Sequence, residues 1–185
     1  GYIFSKKNIN SQESFKNTKM WVWKGDELAY TFVENLKIRS YPIEFTEVLP
    51  SLETGLIDSF YSTPTASIAL QWFLNVKYIL DLKIVAVSSG LVISKTSWDK
   101  LAKSEQDLLI SLSKKYFALL SKQIHNEDTK SVNMLKADYK VIIIPNFFTT
   151  EYLSSVKEDI NKKLIGKLYS KDIYDKMMKY INEVK

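Results

Sequence analysis

From Ser104 to Ala137 the chain carries no proline and no glycine, and its apolar residues return at spacings of three, four or eight: Leu108, Leu112, Tyr116, Leu119, Leu120, Ile124, Val132 and Leu135. That spacing places them on one stripe of a single long helix. Ser104, followed three residues on by Asp107, has the form of a capping box at its start. Such a helix would be about 51 Å long, whereas a globule of 185 residues is roughly 40 Å across. The helix is therefore either kinked or laid across a body larger than this chain supplies. The helical content and the fragment-like N-terminus favour the second.

Upstream the pattern is different. Lys19 to Trp23 reads as a strand, and Lys24-Gly25-Asp26 as a turn whose Asp26 caps a helix from Glu27 to Leu36. Tyr41 to Phe45 is a second strand, with Thr46 capping a helix through Thr54; Pro50 is tolerable in its first turn and Gly55 ends it. Ile57 to Tyr61 is a third strand, and Ser62-Thr63-Pro64 opens a helix continued by Ala66 to Phe73. This alternation predicts an α/β layer with parallel strands. Further on, Lys83 to Lys95 is β-prone with a bend at Ser88-Ser89-Gly90, Ser97 starts a short helix, and Val141 to Ile144 is a strand. Amphipathic helices over Thr149 to Leu164 and Ser170 to Glu183 close the chain.

Composition removes several kinds of chemistry. There is no cysteine and His125 is the only histidine, so thiol nucleophiles, Cys/His zinc sites and catalytic machinery that needs more than one imidazole are excluded. The expectation is a non-enzymatic protein without cofactor or metal. A net charge of +5 comes from 26 basic residues against 21 acidic ones, but Arg39 is the sole arginine. Lysine gives a point charge where guanidinium gives a two-pronged grip, so no nucleic-acid partner is expected. No apolar run is long enough to span a membrane. His125, Glu127, Asp128, Asp172 and Asp175 lie on lysine-rich helices and read as solvated surface charge.

The ordered run of Lys19-Met20-Trp21-Val22-Trp23, Pro42 to Val48, Leu52-Glu53-Thr54-Gly55-Leu56-Ile57-Asp58, Trp72 to Tyr78 and Leu91 to Lys95 followed by Trp98 resembles a known family. It is similar to the second half of the dicarboxylate-type extracytoplasmic solute-binding proteins of tripartite ATP-independent periplasmic (TRAP) transporters. The Leu-x-Thr-Gly-x-x-Asp core is its most specific piece. The resemblance implies the second lobe of a two-lobe periplasmic-binding-protein-like α/β fold plus long C-terminal helices. It implies an interlobe strand and linker over residues 1–18 and a ligand-binding lobe over 19–83. Residues 84–185 would form a crossing strand, the long helix and C-terminal helices packed across both lobes. A missing N-terminal lobe, a small-molecule ligand, membrane subunits of a TRAP transporter as partners and a periplasmic location come with it. The alternative reading is a protein-interaction module that uses the long amphipathic helix.

Two departures bear on the ligand. Trp21 stands where the family places an arginine that clamps a carboxylate, and Ser59 to Pro64 replaces a Gln-Glu-Asn-Pro segment whose asparagine contacts ligand. An indole, a phenol and hydroxyls have taken the place of a bidentate cation and an amide. The expected ligand is therefore apolar or aromatic, held by Trp21, Trp23, Phe45, Tyr61, Ser62, Thr63 and Trp72. Strand alternation puts Trp21 and Trp23 on one face, where they line a cleft at a strand's carboxyl end or pack under a helix. Phe45 is a ligand-stacking or a core residue. Ser62 and Thr63 either leave backbone N–H groups for an anion or polar head, or merely cap the following helix. Trp72 and Trp98 read mainly as packing, with Trp72 in reach of the cleft floor.

Overall fold

A computed structural model describes residues 1–83 and 90–184. Its elements in chain order are β1 (Tyr2–Ser5), α1 (Gln12–Lys16), β2 (Lys19–Trp23), α2 (Glu27–Asn35), β3 (Arg39–Ile43), α3 (Val48–Thr54), β4 (Ser59–Ser62), α4 (Pro64–Ala69), β5 (Tyr78–Asp81), α5 (Lys95–Trp98), α6 (Lys103–Ala137), β6 (Ile142–Pro145), α7 (Thr150–Leu164) and α8 (Lys171–Val184). The six strands form one sheet in the order β3-β2-β4-β1-β5-β6. β2 runs parallel to β3 and β4, and β5 parallel to β6, while β1 is antiparallel to both its neighbours. The α/β class expected from the alternation is thus correct, with one reversed strand in its middle.

Alternation along each strand feeds two cores. Ile3, Met20, Val22 and Leu80 face a layer formed by α1, α2 and α7, through Phe15, Val33, Val156, Ile160 and Leu164. Phe4, Trp21, Phe60 and Ile79 face the other way, onto Leu52 of α3, Trp72 and Phe73, and Leu135 of α6. Phe4 and Phe60 are cross-strand partners whose rings stack at 4.8 Å. Both faces being covered is what a largely parallel sheet requires.

Local boundaries follow the punctuation, with informative exceptions. Asp26 caps α2 by accepting from the Ala29 N–H at 2.9 Å, and Gly55 ends α3 at φ 73°, a conformation that glycine adopts without strain. β3 lies two residues earlier than expected, because its register is set by pairing with β2 from Lys19 opposite Arg39 onward. Thr46 does not cap α3: Phe45–Glu47 is a 3₁₀ turn that leads into it. α4 stops at Ala69, where the left-handed Gln71 (φ 60°) turns the chain into a second 3₁₀ segment, Trp72–Asn75. At the start of α6 the carboxylate of Glu105, not Asp107, takes the N–H of the residue before the helix, Ala102, at 2.7 Å. Asp107 is paired with Lys103 instead. The short helix after the β-prone stretch is capped by Ser94, not begun by Ser97. Of that stretch, residues 84–89 lie outside the described set, and residues 90–94 form no strand. The His125 side chain also lies outside the described set.

The amino ends of β2 and β4 are tied together by one side chain. Asp58 is buried at 5% exposure. Its Oδ1 accepts the Lys19 backbone N–H at 2.7 Å and the Ser59 hydroxyl at 3.1 Å. Its Oδ2 pairs with Lys7 Nζ at 2.7 Å, and its own N–H donates to Lys19 O at 3.0 Å. Lys6 and Lys19 add their ammonium groups to the carbonyls of Leu52 and Gly55 at the end of α3, where cations complement the helix dipole. The Leu-x-Thr-Gly-x-x-Asp motif is therefore a structural clamp. Replacing Asp58 by Asn should lower stability by about 2–3 kcal/mol through loss of its charge-assisted bonds; urea unfolding measures this, and an unchanged midpoint contradicts it.

Candidate functional site

β2 and β4 pair only at Met20 with Ser59. Beyond that point no ladder bond joins them, and side chains fill the opening at their carboxyl ends. Tyr61 is the main one. Its hydroxyl accepts the Trp23 backbone N–H at 3.3 Å, in place of a strand carbonyl, and donates to Asp26 Oδ2 at 3.1 Å. Its ring stacks on Trp21 with centroids 5.1 Å apart and planes 20° from parallel. Burial, more than any other influence, raises the Tyr61 pKa; the Trp23 N–H opposes it and the Asp26 carboxylate adds to it. The phenol therefore stays protonated and keeps its O–H directed at the Asp26 carboxylate.

An aromatic group grows from this pair. Trp72 meets Trp21 edge-on at 5.2 Å and Phe45 at 5.1 Å, and Phe45 lies 6.3 Å from Trp21 and 6.5 Å from Trp23. Trp21 and Trp23 do share a face, as alternation requires. Their exposures differ sharply: Trp21 is 4% exposed and Trp72 is buried, while Trp23 is 51% and Phe45 42% exposed. The indole N–H of Trp21 is also used, donating to Ile43 O at 3.0 Å. Trp21 and Trp72 are thus the floor beneath the surface, and Trp23 and Phe45 are the rings that meet solvent. Such ring pairs contribute about 0.5–1.5 kcal/mol each beyond their buried area.

These side chains lie at the carboxyl ends of three adjacent parallel strands: Trp23 closes β2, Phe45 follows β3, and Ser62 and Thr63 follow Tyr61 on β4. Open α/β sheets bind ligands at that edge. Ion pairs there are sparse: Lys24 meets Glu44 at 3.2 Å in the open. Arg39 begins β3, at the opposite edge, four residues before Ile43. At the rise of an extended strand that is about 13 Å away.

The first turn of α4 is occupied from within the chain. Thr63 Oγ1 caps it, accepting from Ala66 N–H at 3.1 Å. Asp128 of α6 accepts from the Thr65 hydroxyl at 2.7 Å and from the Thr65 N–H at 3.3 Å, and Ser131 Oγ lies 3.2 Å from the same hydroxyl. Asp128 is not the surface charge that its lysine-rich setting suggested. Its carboxylate supplies the anion that a helix start favours, and its partner lies 63 residues away in sequence, beyond what local spacing reveals. Asp26 was legible as a cap, but its hydrogen bond to Tyr61 was not. Trp98 stands at the end of α5, outside the aromatic group.

Residues 2–172 match the family described as bacterial extracellular solute-binding protein, family 7. The chain belongs to this family. No curated protein matched the sequence. Solved structures of TRAP periplasmic solute-binding proteins share the fold of this family 7 chain. One from Fusobacterium nucleatum, with bound sn-glycerol-3-phosphate, superimposes with a TM-score of 0.85 at 20% identity, over 99% of this chain and 57% of its own. One from Pseudomonas putida, with bound D-glucuronate, gives 0.78 at 21% identity, over 98% and 56%. One from Desulfovibrio salexigens, with bound orotic acid, gives 0.77 at 13% identity, over 88% and 51%. The family 7 chain thus spans little more than half the length of these proteins.

The Asp128 contact has a measurable consequence. Asp128→Ala should destabilise the protein by about 1–2 kcal/mol and speed hydrogen exchange of the α6 amides around Ser131. Exchange there equal to that of the parent protein would show that the contact does not hold α6 to α4.

Proposed function

We propose that this family 7 chain is the ligand-capturing half of a TRAP solute-binding protein that takes up an apolar or aromatic ligand. Family membership and the shared fold support solute binding for transport, without catalysis, in the extracytoplasmic space. The finer reading rests on one observation. The carboxyl edge of β2, β3 and β4 presents Trp23 and Phe45 over a floor of Trp21, Tyr61 and Trp72, and the sole arginine begins β3 at the other edge. The solved relatives hold acids, D-glucuronate and orotic acid among them. In this chain the grip on such an acid would have to come from elsewhere, whereas the contact surface for a ring is already assembled.

In this reading Trp23 and Phe45 stack on the ligand, and Ser62 and the free acceptor sites of Tyr61 and Thr63 orient its polar atoms. Trp21 and Trp72 hold the exposed rings in place. A second lobe closes over this edge, and the closed form is recognised by the membrane subunits of the transporter. The lobe's resting place is the projecting part of α6. Ser131 and Leu135 are buried against this body, but Leu108, Leu112, Tyr116, Leu119, Leu120 and Ile124 are exposed. An apolar stripe of that length in water is an interface awaiting its other side. We keep the division into residues 1–18, 19–83 and 84–185 as part of this proposal, with its borders redrawn in three places: Tyr2–Ser5 and Ile142–Pro145 are also strands of the ligand-binding sheet, and α7 packs in the core beneath α2.

Calorimetric titration tests the ligand class. Indole-type compounds should bind and change Trp23 fluorescence, with Trp23→Ala weakening them about tenfold, while L-malate and D-glucuronate should give no heat of binding. Tight uptake of either acid with no response to aromatic compounds would overturn the apolar assignment.

A further inference from the structure

A cavity of about 330 Å³ lies on the other side of the sheet, between β1 and β2 below and α2 and α7 above. Ile3, Met20, Phe32, Val33, Val156 and Ile160 form most of its apolar wall. Four polar side chains reach it: Asp26, Tyr61, Lys157 and Asn161. Two of these are fixed at one end. Asp26 accepts from Ala29 N–H and from the Tyr61 hydroxyl, one bond to each oxygen. Each carboxylate oxygen still has a lone pair to offer. Asn161 is held through its Oδ1, which accepts the Tyr169 hydroxyl at 2.7 Å. Lys157 is on the exposed side of α7, where its ammonium can extend into water.

Size and lining together select a ligand. An apolar cavity of about 150 Å³ already takes up benzene, so this one has room for about two fused rings. We infer that the α2–α7 cavity is a second small-molecule site, separate from the aromatic edge, that takes a two-ring or similar apolar body with a hydrogen-bond-donating head directed at Asp26. An ammonium head is favoured over a hydroxyl because it adds charge attraction to the hydrogen bond. A carboxylate head would face Asp26 with like charge. Tyr61 belongs to both places, through its ring on Trp21 and its hydroxyl on Asp26. Occupation of the cavity would therefore be felt at the floor of the aromatic edge.

The inference does not depend on the ligand proposed for that edge, and its test separates the two. Tryptamine, tryptophol and indole-3-propionate share one ring system and differ in head group. Each is titrated into the protein while the methyl signals of Ile3, Val33, Val156 and Ile160 and the indole signals of Trp23 and Trp72 are followed by NMR. Tryptamine should shift the methyl set, tryptophol should do so more weakly, and indole-3-propionate should not. Asp26→Asn keeps a capping side chain for α2 and should weaken tryptamine about fivefold, the equivalent of about 1 kcal/mol. Ala29→Trp should fill the cavity and abolish the methyl shifts while leaving the response of Trp23 to aromatic compounds. If that variant does not fold, Val156→Phe fills the same space from α7. Methyl signals unmoved by tryptamine up to its solubility limit, or tighter binding of the propionate than of the amine, would overturn the site as described. Shifts confined to Trp23 and Trp72 would overturn the cavity and leave the aromatic edge standing.

Discussion

The Asp58 carboxylate decides the shape of this molecule at the amino edge of its parallel strands. β2 and β4 share a single register pair, Met20 with Ser59, too little to keep two strands side by side. The side chain of Asp58 replaces the missing ladder bonds by taking the Lys19 N–H, while Lys7 balances its charge. Held at one end and unpaired at the other, the two strands leave an opening at the carboxyl edge. Tyr61 fits there because its ring is wide enough to bridge it and its hydroxyl can satisfy a backbone N–H that would otherwise lack a partner. The opening that Tyr61 fills is a consequence of the clamp.

The two edges of the sheet divide the chemistry between them. Lys6, Lys7, Lys19, Arg39 and Asp58 are at the amino edge, where three of the cations answer the carboxylate and the carbonyl end of α3. Trp21, Trp23, Phe45, Tyr61 and Trp72 are at the carboxyl edge, in a connected set of ring contacts. A charged clamp at the carboxyl edge would need desolvation whenever a ligand was enclosed there, at a cost of several kcal/mol per ion. Aromatic rings have no such cost, and those beneath the surface fix the angle of those above it.

What was legible in the sequence was local. Asp26 and Gly25 marked the start of α2, Gly55 the end of α3, and the uninterrupted stripe the whole of α6, because caps, left-handed turns and periodicity depend on near neighbours. β5 and α1 were missed: each has only four or five residues, too few to show a period, and β5 exists because β1 and β6 pair with it from distant parts of the chain. The site shows the same division. Alternation gave the common face of Trp21 and Trp23, yet the burial of Trp21 depends on Tyr61 and Trp72, about forty to fifty residues further on. The resemblance to solute-binding proteins rested on a motif whose aspartate turns out to hold strands, which explains why the fold was readable there when the ligand was not.

The long helix joins these levels. Its C-terminal third is fixed three ways, by Asp128 on Thr65, by Ser131 beside the same hydroxyl, and by Leu135 in the core. Thr65 follows directly on Thr63 and Pro64 at the end of the strand that carries Tyr61. A force on the projecting part of α6 therefore reaches the aromatic edge through few bonds and no flexible loop, since α4 connects Asp128 to the residues after β4. Closure of a second body over that edge would press on both ends of this connection at once, on the rings directly and on the stripe from Leu108 to Ile124. With a ligand enclosed at that edge, its contact and the position of α6 would be two readings of one equilibrium, and by linkage whatever shifts one would shift the other.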